Sequence, residues 1–384
     1  MTHHRHADSP LLDHCPETLP ARAYSDPDWF ARERRAIWAR EWVLAGRLGD
    51  LAPGSMRRVE VAGQALILCR DGEGRVTAFH NTCRHRGAEL CAAAEQPLGR
   101  LIRCPYHAWA YGTDGRLVSV AHATPTADFD ARDHGLFPVH VRHWNGFVFL
   151  CLADDPAEFR PDLGLEALAN WPMDDLVTGH VMETDIACNW KIFWENYNEC
   201  LHCPGIHPEL CDMVPVYRQG IMAANEAPGW TPDTPAAPVL RPGARSWTMT
   251  GAPAGPEFSG LSAAERAAGF TFVTLYPTAY IVAHVDHVRA VSLTPLGPER
   301  TRLRAEWLFL PETLAQPGFD LAHVTDFASI VMSQDAAACE MNQRGLRSDR
   351  YRAGRLMPQE FDIHRFHQWL LSRLEAAEPE GRHD

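Results

Sequence analysis

The chain has 384 residues, a net charge of −13, and 46% hydrophobic against 22% charged residues, an ordinary globular balance. That length suffices for two domains with sizeable cores, and an acidic balance with no basic run argues against nucleic acid or an anionic membrane as partner. No apolar run reaches the roughly eighteen residues of a membrane span, and the opening MTHHRHADSP lacks the apolar core of a signal peptide, so a soluble, cytoplasmic protein is expected.

In chain order, the histidine-rich start reads as a disordered tail. Ser25-Asp26-Pro27 followed by DWFARERRAIWAREW reads as a cap, a proline in the first turn and an amphipathic helix. From about Trp42, short β-like runs (RRVEVAG, QALILCR, RVTAFH, GRLVSV, GFVFLCL) alternate with glycine turns such as Asp71-Gly72-Glu73-Gly74. These predict a small antiparallel β domain over 42–155, preceded by a helical segment, 1–41, packed on a second domain, 156–384. In that second domain NWKIFWENYNECLH reads as a helix starting at Asn189, and the five prolines between Asn225 and Arg245 predict a surface loop. TFVTLY, AYIVAHV, HVRAVSLTPL and TRLRAEWLFL are consecutive strands of an antiparallel sheet, and helical texture returns from Asp320 to about Arg344 and at the C-terminus. The fold class is therefore α+β.

Eleven cysteines cannot all pair, and in an intracellular chain they are expected to stay reduced, as core residues or metal ligands. Cys69 and Cys151, inside apolar strand-like runs, read as core. Two stretches carry denser chemistry. HNTCRHRGAEL and RCPYHAWAYGTDG offer Cys83 and His85, then Cys104 and His107, each pair at a turn between strands. Two cysteines and two histidines could hold a tetrahedral zinc. A Cys and a His on each loop suits a two-iron cluster better, with both thiolates on one iron and both imidazoles on the other. Gly87 supplies backbone freedom, Pro105 stiffness, and Trp109 a shield from solvent. The second stretch, NECLHCPGIHP, packs Glu199, Cys200, His202, Cys203 and His207 into eleven residues; either the cysteines, the histidines, or Glu199 with one pair could hold a metal.

CRHRG with CPYHAW closely resembles the Rieske [2Fe-2S] domain of ring-hydroxylating oxygenase large subunits. LPARAYSDPDWFARERRAIWAREW, NWKIFWENYNEC and LTPLGPERTRLRAEWLF extend the resemblance over most of the chain. It implies a catalytic domain of helix-grip, START-like type and a mononuclear iron(II) held by two imidazoles and a carboxylate, the donor set that leaves positions open for dioxygen. The matching residues are His202, His207 and, in SQDAAACEMNQRGL, Asp335, with Glu340 as a residue beside the site. Cys200 and Cys203 are then bystanders. The resemblance gives Glu199 a bridging role between the iron site and a cluster histidine, matching His107, of a neighbouring subunit in a head-to-tail homotrimer. Many ring dioxygenases carry aspartate there; glutamate keeps the acceptor chemistry.

The implied activity is that of a terminal oxygenase fed by NAD(P)H through a flavin/iron-sulfur reductase. ENYNECLHC resembles the branch acting on quaternary ammonium compounds such as glycine betaine, carnitine and stachydrine, which implies hydroxylation of an N-methyl group and its loss as formaldehyde. Hydroxylation or dihydroxylation of an arene is the alternative; a Rieske electron carrier and a structural zinc protein are readings of other classes. A trimethylammonium group needs aromatic faces, for which Trp194, Tyr197, Trp247, Phe272, Tyr276 and Tyr280 are candidates, with His284, Asp286 and His287 as polar wall residues or solvent-facing groups.

Overall fold

The structure is a computed structural model describing residues 8–161, 164–234 and 239–377. The histidines at the start of the chain lie outside the described residues, as does part of the proline-rich loop. Two compact units emerge, Trp38–Phe159 and a second made of Met1–Ile37 with Arg160–Asp384.

The smaller unit is all β. Strands β1 (Val43–Arg47), β2 (Ser55–Val61), β3 (Gln64–Arg70), β4 (Val76–His80), β5 (Glu95–Pro97), β9 (Pro138–Trp144) and β10 (Phe147–Cys151) form one antiparallel sheet in the order β1-β10-β9-β4-β3-β2-β5. A second sheet joins β6 (Leu101–Arg103), β7 (Ala110–Gly112) and β8 (Leu117–Ser119). Local sequence sets two hairpins. Asn145-Gly146 joins β9 to β10 with both residues at positive φ, the two-residue turn whose twist matches the strands it connects. Ala62-Gly63 does the same between β2 and β3, where the alanine accepts φ 53°. Cys69 and Cys151 are fully buried, as their apolar runs predict.

The larger unit begins with α1 (Arg22–Ser25) and α2 (Pro27–Glu33). Asp26 caps α2 through the N–H groups of Asp28 and Trp29, with Pro27 at the first position. After β11 (Val177–Ile186) come α3 (Trp190–Tyr197), α4 (Cys203–Ile206), α5 (Pro208–Met213) and α6 (Ala263–Ala268). Strands β12 (Phe270–Leu275), β13 (Ala279–His284), β14 (Val288–Gly297) and β15 (Arg300–Phe309) follow, then α7 (Pro311–Leu314), α8 (Leu321–Leu346) and α9 (Phe361–Ala376). The sheet runs β11-β15-β14-β13-β12, antiparallel throughout. The four consecutive strands are those expected; β11 is an addition, its half-exposed, polar-studded VTGHVMETDI carrying little apolar signal.

The helix expected from Asn189 starts there: Asn189 accepts from Lys191 N–H at 3.0 Å and donates to the Pro298 carbonyl at 2.6 Å. It ends earlier than the unbroken run suggests, at Tyr197, so Glu199 sits in the following turn and not on the helix. The Glu199 carboxylate accepts from the backbone N–H groups of Leu201 and His202, an alternative to helical bonding that acidic side chains offer. Lys191, wholly buried, lies 2.7 Å from Glu33 of α2, and Trp29 and Trp190 donate to the same carboxylate at 2.8 and 2.9 Å. The N-terminal helix is thereby tied to the helix that leads into the histidine stretch.

Candidate metal centres and substrate cavity

In the β unit, the two Cys-His turns are built alike. Cys83 N–H donates to the Ala88 carbonyl at 2.8 Å and Gly87 N–H to the Cys83 carbonyl at 2.9 Å; Cys104 N–H donates to Trp109 at 2.8 Å and Ala108 N–H to Cys104 at 3.1 Å. Each turn needs one residue in the left-handed region, Gly87 at φ 78° and Ala108 at φ 55°; only the first carries the residue type that adopts it freely. The turns bring like donors together. The Cys83 thiol lies beside that of Cys104, and burial pushes its pKa up despite the Tyr111 hydroxyl 3.1 Å away. The His85 and His107 rings lie edge to face, centroids 4.7 Å apart. The thiols are buried and the His85 ring exposed, while buried Trp109 stacks on His85 at 4.8 Å. Thiols paired inside and imidazoles paired outside suit two irons in a line; a single tetrahedral ion needs all four donors around one point.

In the larger unit, His202 precedes α4, His207 ends it, and Asp335 comes from the middle of α8. Asp335 continues a stripe of buried residues at helical spacing, Val324, Ala328, Val331 and Cys339, so it faces the interior. His202 Nε2 lies 3.2 Å from His207 Nε2, and Asp335 Oδ1 lies 3.0 Å from His207 Nε2 and 3.5 Å from His202 Nε2. All three ligand atoms fall within 4.8 Å of one another. The opposite ring edges explain the aim. Glu199 Oε1 meets Nδ1 of His202 at 2.5 Å, and Gln334 Oε1 meets Nδ1 of His207 at 2.8 Å. Gln334 is oriented by donating its amide to Glu209 at 3.0 Å. Both oxygens accept, so each Nδ1 carries a proton and each Nε2 is left as the ring atom that faces Asp335 and the interior of the trio. Burial disfavours a charged His202, yet Asp335 and Glu199 draw its pKa up to about 9; His207 is raised and Asp335 lowered by the same contacts, against burial. The trio is a place made for positive charge.

Other expectations are redistributed. Cys200 and Cys203 are not reduced: they form a disulfide, the Cys203 N–H bonding the Cys200 carbonyl at 3.0 Å in a turn that brings their Cα atoms to 5.0 Å. Glu340 is turned away from the site and accepts from Ala187 N–H at 3.1 Å; Gln334, adjacent to Asp335, is the neighbour that sequence reasoning missed. Above the trio opens a cavity of about 640 Å3, counting its mouth. Tyr197, Trp247, Phe272 and Tyr280 line it. Trp194 and Tyr276 do not: Trp194 is fully buried and donates to the Pro277 carbonyl at 2.9 Å, and Tyr276 accepts from Asn198 at 2.6 Å. His284, Asp286 and His287 neither line the cavity nor face solvent; Asp286 is buried, accepting from Ser246, His287 and Ala254 N–H at 2.6, 2.9 and 2.6 Å.

Two sheets of this kind, one framing paired Cys-His turns and the other a two-histidine, one-carboxylate trio, define a Rieske-type oxygenase. The chain belongs to that family: the ring hydroxylating alpha subunit (catalytic domain) matches residues 173–376 and the Rieske [2Fe-2S] domain residues 41–130. It is an oxidoreductase, and the family's cofactors are a [2Fe-2S] cluster and a mononuclear iron served by a separate reductase. Among its relatives, the glycine betaine monooxygenase oxygenase subunit of Chromohalobacter salexigens is 32% identical over 94% of this chain and 88% of its own. The chloroplastic choline monooxygenase of Beta vulgaris is 28% identical over 93% of this chain and 77% of its own. The crystal structure of the quaternary ammonium Rieske monooxygenase CntA superimposes with a TM-score of 0.73 at 21% identity, covering 94% of this chain and 96% of that one. No helix among the described residues is long and apolar enough to cross a membrane.

Proposed function

We propose that this chain is the oxygenase component of a monooxygenase that hydroxylates an N-methyl group of a quaternary ammonium compound. His202, His207 and Asp335 hold the iron, and Cys83, His85, Cys104 and His107 hold the cluster. The observation that carries the reading is the convergence of two imidazole Nε2 atoms and one carboxylate beneath an aromatic-walled cavity, in a chain whose relatives include enzymes named for glycine betaine and choline. An iron held by these three residues would supply the activation of dioxygen, given two electrons from the reductase.

The chain's own residues do the rest. Tyr197, Tyr280 and Phe272 offer ring faces to a trimethylammonium group and keep water from it. Glu199 and Gln334 hold the two imidazoles in the tautomer that leaves Nε2 free. Dioxygen, two protons and two electrons convert the N-methyl C–H bond to an N-hydroxymethyl group and the second oxygen atom to water; the cationic product then loses formaldehyde and its hydroxyl proton as the C–N bond breaks, leaving the tertiary amine. Glu199, already bonded to His202, is the acceptor through which a cluster histidine of a neighbouring subunit is joined to this site, and the working form is a homotrimer in the cytoplasm. An electron carrier or a structural zinc protein has no use for the His202, His207 and Asp335 trio.

The test is oxygen uptake by the purified protein with a reductase and NADH. Glycine betaine, carnitine or choline is expected to drive uptake with release of one formaldehyde per oxygen. Turnover of arenes alone would overturn the substrate class and leave the oxygenase.

A further inference from the structure

One wall residue of the cavity belongs to no constellation described so far. Arg289, second residue of β14, is the one charged residue of that strand, stands among the buried Val288, Ala290, Val291 and Leu293, is 6% exposed, and lines the cavity. The register fixes its direction. Arg289 pairs with Val282, which pairs with Phe272, and all three line the cavity, so they share one face of the sheet. Tyr280, two residues before Val282, adds the next rung on that face.

The Arg289 Nε has no hydrogen-bond partner, and among the described residues no carboxylate pairs with the guanidinium. The neighbouring acids are committed, Asp335 to the two histidines and Asp286 to Ser246, His287 and a backbone N–H. The other buried cations are matched: Lys191 by Glu33, and Arg47 by the Phe147 face and the Asn145 carbonyl. A cation taken out of water is costly unless an anion meets it, and guanidinium has the planar fork that a carboxylate fits with two hydrogen bonds.

Resting on the reading under Proposed function, we propose that Arg289 binds the carboxylate of the substrate, making the preferred substrate class the betaines, zwitterions with a quaternary ammonium at one end and a carboxylate at the other. The rings of Tyr197 and Tyr280, centroids 4.1 Å apart, take the ammonium end. Choline offers Arg289 only its own positive charge and a hydroxyl, and an arene leaves the guanidinium buried and unmatched.

The test compares equilibrium binding to the holoprotein of glycine betaine, glycine betaine methyl ester and choline, followed by calorimetry or by the fluorescence of Trp247 in the cavity wall. Glycine betaine is expected to bind about ten- to a hundredfold tighter than the ester or choline, the worth of a hydrogen-bonded buried charge pair. In Arg289→Gln that preference disappears and choline binds more tightly than to the wild type, with the mononuclear iron content and the thermal transition of the larger unit unchanged as checks on folding. The ester comparison decides the matter on the wild-type protein alone if the variant does not fold. Equal affinity for the three ligands, or a preference that survives in Arg289→Gln, overturns the role of Arg289 while leaving a quaternary ammonium oxygenase in place. Absence of both binding and turnover for every quaternary ammonium ion sinks the wider reading, and this inference with it.

Discussion

The buried pair of Glu33 and Lys191 gives a prediction whose size follows from its surroundings. Both side chains are wholly buried and meet at 2.7 Å. Glu33 has two indole N–H donors besides, whereas Lys191 has only the Trp190 and Tyr24 rings, at 5.2 and 5.6 Å, and its ammonium makes no well-directed hydrogen bond. Burial pulls the Lys191 pKa down and Glu33 holds it up. Glu33→Gln removes the counter-charge in contact with the ammonium, leaving only the field of the more distant Glu195, and should cost about 3–5 kcal/mol. Lys191→Met leaves a carboxylate that keeps both indoles, and should cost less. Combining the two removes the orphaned charge, so the double variant should be more stable than Glu33→Gln alone, a coupling that a double-mutant cycle reads directly. At about 2 °C per kcal/mol for a unit of this size, Glu33→Gln lowers the calorimetric transition of the larger unit by roughly 6–10 °C. A shift under about 2 °C, or a double variant as unstable as the sum of the single losses, would refute the idea that the pair is a mutual charge compensation.

Other outcomes follow from the same physics. Burial, aided by Asp362, pushes the Glu226 carboxyl up to about 7 against the Met222 N–H that it accepts. The folded chain therefore holds that proton above the ordinary carboxyl pKa of 4.5, and stability from this group is complete below about 4.5 and falls by about 3 kcal/mol as pH rises through 7. Glu226→Gln, which keeps the acceptor and cannot ionise, should match the wild type at pH 4.5 and melt higher at pH 8; parallel melting curves across that range would rule this out. Cys104→Ala should bleach the cluster absorption and leave the mononuclear iron, whereas His207→Ala should do the reverse, as iron analysis and visible spectra check. Glu199→Gln should keep both metals yet slow single-turnover electron delivery to the second site; unchanged rates would count against the bridge.

Much of this was legible in the sequence because the decisive signals are local. The Cys-His turns, the cap at Asp26 and the start at Asn189 depend on residues a few positions apart. What escaped notice depends on contacts far apart in the chain. Gln334 stands beside Asp335 and reads as an ordinary helix residue until α8 brings it against His207. Trp194 and Tyr276 look like any other cavity aromatics until packing turns them into the core. Glu199 leaves the helix because its own carboxylate competes for the backbone. Arg289 did carry a signal, one charge in an apolar strand, whose meaning appears only when register sets it across from Val282 and Phe272.

The most direct test of the account is elemental analysis with sulfide determination on anaerobically reconstituted protein, repeated on His202→Ala. Three irons and two inorganic sulfides per wild-type chain, falling to two irons with both sulfides retained in the variant, are the predicted values. Zinc in place of iron, or two irons in both proteins, would contradict it.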